Sequence, residues 1–255
     1  MEIQGLSALT TNYIWIITTN ETTVVVDPGE ARPVIEYLNA TQRSCDAILI
    51  THHHLDHTGG VTNLLQTYPK CPVYGPNLQT LGIDNIEIDP LKILHIPKLS
   101  STVKTMRTPG HTLDHLCYLI EDKLFCGDTL FSAGCGRLFE GDGKDLYNSL
   151  EAIRQLPDST IIYPAHEYTE ENIRFALTIE PNNTPLIEYE EQVKKKRAQG
   201  IPSLPTTLAR EKSINPFLRT HVESIQTKVS QLSHQPVASA MDTLITLRQL
   251  KDQFI

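Results

Sequence analysis

The sequence predicts an α/β domain built on buried sheets, followed by a smaller domain made of helices. Three observations carry this expectation. Up to residue 168, short apolar runs alternate with polar loops and helical patterns; beyond it, strand signal almost vanishes. The charge changes at the same place. Residues 1–168 hold 20 acidic and 11 basic side chains, a net of −9, whereas residues 169–255 hold 10 and 11, a net of +1. Domains of 1–168 and 169–255 follow.

TTVVVD (22–27), AILIT (47–51), CPVYG (71–75), KILHI (92–96), HLCYLI (115–120), KLFCGD (123–128) and TIIYPA (160–165) read as strands. Each is a short apolar run rich in β-branched or aromatic residues. PVIEYLNA (33–40), HTGGVTNLLQTY (57–68) and DLYNSLEAIRQL (145–156) read as helices between them, the mixture expected of an α/β domain. In the second half, ENIRFALTIE (171–180) and PLIEYEEQVKKKRAQ (185–199) read as helices. The latter carries Glu190–Lys194 and Glu191–Lys195 pairs at i,i+4. IPSLPTTLAREKSINPF (201–217) reads as a proline-broken loop, and MDTLITLRQLKDQF (241–254) as the last helix.

Composition narrows the class. A chain of 255 residues can bury one large core, or one substantial domain and a smaller one. No apolar run reaches the roughly 18–20 residues needed to span a bilayer. The N-terminus, MEIQGLSALTTNYIWII, lacks a basic segment and a small-residue cleavage site, so no signal peptide is expected. Five cysteines (Cys45, Cys71, Cys117, Cys126, Cys135) form no C-x-x-C pair. This odd count argues against a disulfide framework or a cysteine zinc site and for a reducing cytoplasm. A net charge of −8 argues against nucleic-acid binding. Nothing points to a membrane, and the sequence leaves the oligomeric state open, a monomer being compatible with it.

The densest chemistry lies in THHHLDH, Thr51 to His57. It follows the strand AILI and therefore stands in a loop at a strand end. In an extended loop, side chains two apart point the same way, so His52 and His54 can share a target while His53 points elsewhere. Asp56 and His57 follow at a helix entry. One histidine here would read as a solvated turn. Four beside a carboxylate make a site for a divalent metal.

Other strand ends repeat the pattern. TPGHTLDH places His111 after VKTMR, LFCGDTLF puts Asp128 at the end of a buried strand, and IIYPAHEY does the same for His166. An aspartate between Phe125-Cys126 and Leu130-Phe131 is costly to bury unless it is paired or metal-bound. Five histidines (52, 54, 57, 111, 166) and two aspartates (56, 128) exceed the three or four protein ligands of one zinc. They suit two metals bridged by a carboxylate. His53, His95 and His115 take supporting or structural places, and His221 and His234 the surface.

His52-His53-His54-Leu55-Asp56-His57, followed in order by His111, Asp128 and His166, resembles the metallo-β-lactamase superfamily. The resemblance implies an αββα sandwich with the metals at one edge of two sheets. It implies His52, His54 and His111 on one metal, Asp56, His57 and His166 on the second, and Asp128 between them. FSAGCGRLFEG (131–141), AHEYTEENIRFAL (165–177), NPFLR (215–219) and LRQLKDQF (247–254) are similar to the glyoxalase II, or hydroxyacylglutathione hydrolase, family over essentially the whole chain. That family hydrolyses S-D-lactoylglutathione to D-lactate and glutathione, as part of methylglyoxal detoxification. Its site takes two divalent ions, zinc foremost, with iron or manganese as alternatives.

The same resemblance implies that Arg248 and Lys251 on the last helix, Arg137 of GCGR, and Tyr168 of HEY contact glutathione. Asp56 and Asp128 would orient a metal-bridging hydroxide. On spacing alone, Arg248 and Lys251 read as a solvated face. Cys135 reads as a small residue in a glycine turn rather than as a nucleophile. The chain departs from the family pattern at three places. Asp114 replaces a usual glycine, which left-handed backbone would accommodate; Phe139, which the resemblance also places at the substrate, stands where some relatives have tyrosine; and Asp142-Gly143 is unusual. A mononuclear-iron persulfide dioxygenase, a lactonase and a non-catalytic zinc-dependent binding protein are the alternatives.

Overall fold

The computed structural model describes residues 1–90 and 92–254; Leu91 and Ile255, the last residue of the expected helical domain, lie outside the described residues. Two compact units form. The first comprises Met1–Arg107 and Asp114–Gly127, the second Thr108–Leu113 and the chain from Asp128 onwards.

The first unit opens with strands β1 (Glu2–Ala8), β2 (Asn12–Thr18) and β3 (Thr23–Val26), then helix α1 (Arg32–Thr41) and strand β4 (Ala47–Leu49). Helices α2 (Leu55–Thr58) and α3 (Val61–Thr67) follow, then β5 (Val73–Gly75), β6 (Ile86–Glu87), β7 (Ile93–Leu94), β8 (Val103–Arg107), β9 (Leu116–Ile120) and β10 (Lys123–Gly127). One sheet runs in the order β1-β2-β3-β4-β5-β6. Its first three strands are antiparallel and the rest parallel. Parallel neighbours need crossovers, which α1 and the α2–α3 pair supply. β2 and β3 are buried at every position, so they read as unbroken apolar runs. Ile16, Val25, Val34, Leu38, Ile48 and Leu64 meet in the core beneath α1 and α3. Strands β7 to β10 form antiparallel pairs, β7 with β8, β8 with β9 and β9 with β10.

This arrangement positions chemistry. The carboxyl ends of the parallel strands β3 and β4 lie side by side, with Asp27 N–H donating to Leu49 O. The chain leaving each strand, at Asp27 and at Thr51, therefore emerges at one rim, where open α/β sheets place their sites.

Two sequence expectations are corrected in this unit, and VKTMR, the segment before His111, takes its place as strand β8. The hairpin β1–β2 has no counterpart among the expected strands, because its loop, Leu9–Thr11, lacks the Gly, Asn or Asp that usually marks such turns. Leu9 adopts φ 50° there, a left-handed value costly for leucine. The single helix expected over 57–68 is broken into α2 and α3 at Gly59-Gly60. A Cβ on Gly60 would stand 2.5 Å from the Pro28 carbonyl oxygen, a close backbone approach open only to glycine.

The second unit contains β11 (Leu130–Phe131), β12 (Gly134–Cys135), α4 (Gly143–Arg154), β13 (Ile161–Pro164), α5 (Thr169–Ile179) and α6 (Thr184–Ala198). β14 (Thr206–Thr207), α7 (Leu208–Ile214), α8 (Glu223–Ser233) and α9 (Ala240–Asp252) complete it. The unusual Asp142-Gly143 pair has a local role. The Asp142 carboxylate caps α4 by accepting from Lys144 N at 2.8 Å and Asp145 N at 2.9 Å. The Asp145 carboxylate accepts in return from Asp142 N, completing a capping box. Ile173, Ala176, Leu186, Tyr189, Val193 and Ile214 form the helical core. On α6, Lys194 pairs with Glu190 at 3.0 Å.

The stretch 201–217, expected as loop, is not all loop. It contains β14 and α7, with Thr207 capping α7 through Arg210 N. Helix α8 has no counterpart among the expected elements. What anchors α7 is Glu211, which is fully buried. Its carboxylate accepts from Ser132 Oγ, Ala133 N and Thr206 Oγ1, each at 2.8 Å, and from Asn215 Nδ2 at 3.1 Å. Among the described residues, no helix is long and apolar enough to cross a membrane. All five cysteines are free thiols.

Glu211→Ala should strand the Ala133 N–H and the Thr206 hydroxyl and take one acceptor from Ser132 and from Asn215, costing roughly 3 kcal/mol and lowering Tm by roughly 6–12 °C. Burial holds the Glu211 carboxyl above its ordinary value of 4.5. Its contribution is therefore full below pH 4.5 and is lost as pH rises through the raised value. Glu211→Gln cannot ionise. Its stability deficit against wild type, measured by denaturant titration, should shrink as pH climbs from 4.5.

Candidate metal centre

In the first unit the ligand loop is organised by Asp27, a residue outside every motif singled out in the sequence. Asp27, 4% exposed, accepts from Thr51 N and Thr51 Oγ1, both at 2.7 Å, and lies 3.0 Å from His57 Nδ1. The His57–Asp27 contact commits the Nδ1 proton and leaves Nε2 as the nitrogen that could hold a metal. His52 Nδ1 lies 3.0 Å from Thr51 Oγ1, so its Nε2 is turned the same way. Asn12, likewise outside every motif, donates to both the backbone and the side chain of Asp56, at 3.2 and 3.1 Å.

Ligand atoms come together as a consequence. His52 Nε2 and His54 Nδ1 are 3.1 Å apart, and His57 Nε2 and Asp56 Oδ2 are 3.4 Å apart. Two ligands of a tetrahedral zinc, each about 2.0–2.1 Å from it, stand about 3.3 Å from each other. The observed spacings match edges of such a polyhedron. A ligand atom of His52 also lies within 4.8 Å of one on His57. His53 faces elsewhere, with Nδ1 2.9 Å from Asp114 Oδ2. Asp114 is not among the described residues with positive φ, so the left-handed accommodation expected for it is replaced by this contact. His115 is buried and stacks on His52 at 4.8 Å, while His95, His221 and His234 are not buried.

The second unit holds His111, Asp128 and His166. Asp128 follows the end of β10 and His166 the end of β13. Asp128 is 6% exposed and splits its oxygens: Oδ2 lies 3.4 Å from His111 Nε2, and Oδ1 lies 3.4 Å from His166 Nε2. A carboxylate shared by two ions needs one oxygen toward each ligand set. The His111 ring is oriented by its Nδ1–H, which donates to Arg137 O at 2.9 Å. Gly136 makes the turn possible, since a Cβ there would stand 1.9 Å from Asp128 O.

The expected substrate residues sit in the same unit. Tyr168 stacks on His166 at 4.7 Å, and Phe139, 64% exposed, sets its ring edge-on to His111 at 5.1 Å. The Arg137 side chain is exposed, with Nε 3.7 Å from Asp252. Arg248 and Lys251 are only 3% and 7% exposed, which overturns the solvated face that spacing alone suggested. Arg248 donates to Cys135 O at 2.9 Å and pairs with Asp252 at 3.0 Å. Lys251 donates to Glu171 at 2.6 Å, a bond that holds the Glu171 carboxyl below the usual range. Burial pushes the Cys135 thiol up to about 11, in line with a structural cysteine.

The family model described as metallo-beta-lactamase superfamily matches residues 8–166, and that described as hydroxyacylglutathione hydrolase C-terminus matches residues 167–254. A Shewanella loihica protein named hydroxyacylglutathione hydrolase is 46% identical over 257 residues, covering 99% of each chain. Among solved structures, BLEG-1 B3 metallo-beta-lactamase aligns with TM-score 0.65 and 24% identity, over 85% of this chain and 99% of its own. TTHA1623 in a di-iron-bound form aligns with TM-score 0.61 and 23% identity, over 84% and 98%. The two structural likenesses are to the fold alone. The identity along the full length goes further: the chain belongs to the hydroxyacylglutathione hydrolase family of the metallo-β-lactamase superfamily.

Proposed function

We propose that this chain hydrolyses glutathione thioesters, foremost S-D-lactoylglutathione, to D-lactate and glutathione. The observation that carries the chemistry is Asp128, offering one oxygen beside His111 and the other beside His166. Membership of the family carries the substrate class. In this reading His52, His54 and His111 hold one divalent ion, Asp56, His57 and His166 a second, and Asp128 both, with zinc as the metal. Such ions, when bound, lower the pKa of water toward about 7 and polarise the thioester carbonyl.

The chain's own residues do the rest. Asp56 and Asp128 orient the attacking oxygen. Asp27, Thr51 and the Arg137 carbonyl keep three imidazoles in the tautomer a ligand needs. The departing sulfur belongs to a thiol of pKa about 8.5, so it leaves without a general acid. Residues 1–168 carry the chemistry, with Tyr168 at their boundary contacting glutathione, and residues 169–255 hold glutathione through Arg248 and Lys251. Arg137 and Phe139 act from the chemical side. We place the enzyme in the cytoplasm. The primary test is hydrolysis of S-D-lactoylglutathione by metal-analysed protein; full metal content without turnover would overturn the reading.

Asp128→Ala should lose bound metal and lower kcat by more than the 10–100-fold typical of changes outside the ligand shell. Two ions retained with near-normal turnover would remove the shared-carboxylate assignment. His53→Ala should keep both ions.

Asp27→Ala should weaken metal affinity by about 10–100-fold, because it releases the His57 tautomer and the Thr51 backbone. Equilibrium dialysis against a metal buffer reads this directly.

Arg248→Ala with Lys251→Ala should chiefly raise KM for a glutathione thioester, since these cations contact a part of the substrate that does not react. At roughly 1.5–3 kcal/mol for each charge-assisted contact, kcat/KM should fall by on the order of 10² or more. A small thioester without the glutathione carboxylates should be hydrolysed almost as before. Equal losses on both substrates would assign the pair to structure alone.

A further inference from the structure

Away from the ligands, two thiols of the first unit face each other. Cys45 and Cys71, 26 positions apart in sequence, place their sulfurs 3.2 Å from one another. Cys45 lies just before β4 and Cys71 just before β5, neighbouring parallel strands that pair Ile48 with Val73. In that register Cys71 stands one residue along from Cys45, so a strand spacing of about 4.8 Å and a rise of about 3.3 Å put their Cα atoms roughly 5.8 Å apart, inside the separation of about 4.4–6.8 Å that a disulfide accepts. Closing the sulfurs to a bond of about 2.05 Å needs a movement of roughly 1.1 Å, within reach of a small side-chain rotation.

The other three cysteines differ. Cys117 and Cys126 are 0% exposed, and the Cys117 thiol lies 3.7 Å from the Cys126 carbonyl. Cys135 is held beside Arg248. Cys45 and Cys71 keep 6% and 8% exposure, enough for a small oxidant to find them and too little for a bulky one. The sequence offered no sign of this pair, because neither residue belongs to a C-x-x-C motif.

We propose that Cys45 and Cys71 form a modification site, closing to a reversible disulfide under hydrogen peroxide. One sulfur attacks the peroxide, the O–O bond breaks, and a sulfenic acid forms with release of water. The second sulfur attacks the sulfenic sulfur, the S–S bond forms, and the S–O bond breaks as the oxygen leaves as water. Two thiols lose two electrons and two protons; one peroxide becomes two waters. Two equivalents of a low-molecular-weight thiol reverse the change through a mixed disulfide. The hydrogen bond shared with Cys71 and burial both raise the Cys45 thiol above its ordinary range.

The bond would close a loop spanning residues 45–71, which contains His52, His54, Asp56 and His57. Cross-linking its ends restricts the unfolded chain and leaves the strands where they are. The oxidised protein should therefore keep its fold and resist unfolding better than the reduced one. This inference does not depend on the catalytic reading.

The test treats the full-length protein with excess peroxide under native conditions, then alkylates it in denaturant and maps the peptides. The expected result is two fewer alkylatable thiols than the original five, one cross-linked pair containing Cys45 and Cys71, and its loss on adding dithiothreitol. Tm should rise by several degrees, and the dithiothreitol-treated sample should return to the starting value. Cys117→Ser should retain the cross-link, whereas Cys71→Ser should abolish it. The map of the wild-type chain decides the matter even if a variant fails to fold. Five alkylatable thiols after treatment, a sulfinic or sulfonic acid at either position without a cross-link, or a cross-link through another cysteine would overturn the proposal.

Discussion

An imidazole ring has two nitrogens, and it can serve as a ligand through one only when the other keeps its proton. Something must accept that proton from a fixed direction. This constraint runs through the structure. Asp27 meets it for His57, Thr51 for His52, and the Arg137 carbonyl for His111. Each acceptor is in turn placed by the fold. Asp27 leaves β3 beside the end of β4, Thr51 is held to Asp27 through both its N–H and its hydroxyl, and the Arg137 carbonyl depends on a turn that only glycine at 136 permits. His53, which stands between two other histidines in sequence, is directed to Asp114 instead. Neighbouring histidines thus differ in their surroundings and not in their chemistry.

The legible part of the molecule was the part with strong local signal. The runs around Thr23–Val26, Ala47–Leu49, Leu116–Ile120 and Lys123–Gly127 are apolar on both sides, bounded by turn residues, and appear as strands within one or two positions of their expected limits. The cluster in Thr51–His57 was legible because histidines beside a carboxylate are a donor set for a divalent metal, even though His53 turns to Asp114. The β1–β2 hairpin was not, since Leu9 turns the chain without a turn residue. Helix α7 hid behind Pro202 and Pro205, and its anchor Glu211 looks like any surface glutamate until its four donors are in place. Asp27 read only as the end of the apolar run TTVVVD, although an aspartate closing an apolar strand is the same signal that drew attention to Asp128. Cations at Arg248 and Lys251 gave a shared helical face, but periodicity cannot say that carboxylates wait there to receive them.

Those carboxylates matter for how the second unit tolerates buried charge. Lys251 and Arg248 would be expensive in an apolar interior on their own. Glu171 and Asp252 stand beside them, and Phe217, Phe175 and Phe254 present their rings at 5.4–5.7 Å from the cationic groups. Asp252 also stands near Arg137. Three cations against two carboxylates leave a local excess of positive charge in a chain whose total is −8. An anionic ligand is drawn to such an excess, and the internal pairs keep it compatible with a folded interior when no ligand is bound.

The Arg248 contact to the Cys135 carbonyl spans 113 residues, and Glu211 and Asn215 reach back 78 to 84 residues to the turn around Ala133. A ribosome delivers these partners late. At about 5–20 residues per second, Arg248 follows Cys135 by roughly 6–23 s. The six strands β1 to β6 of one sheet are complete by Glu87, so that sheet has all of its strands while the second unit is still being made. During the interval the apolar turn from Leu130 to Cys135 has emerged without the groups that later enclose it. Co-translational folding of this protein is therefore ordered by the chain, and nascent chains stalled between about residues 135 and 210 are the ones most open to misassociation.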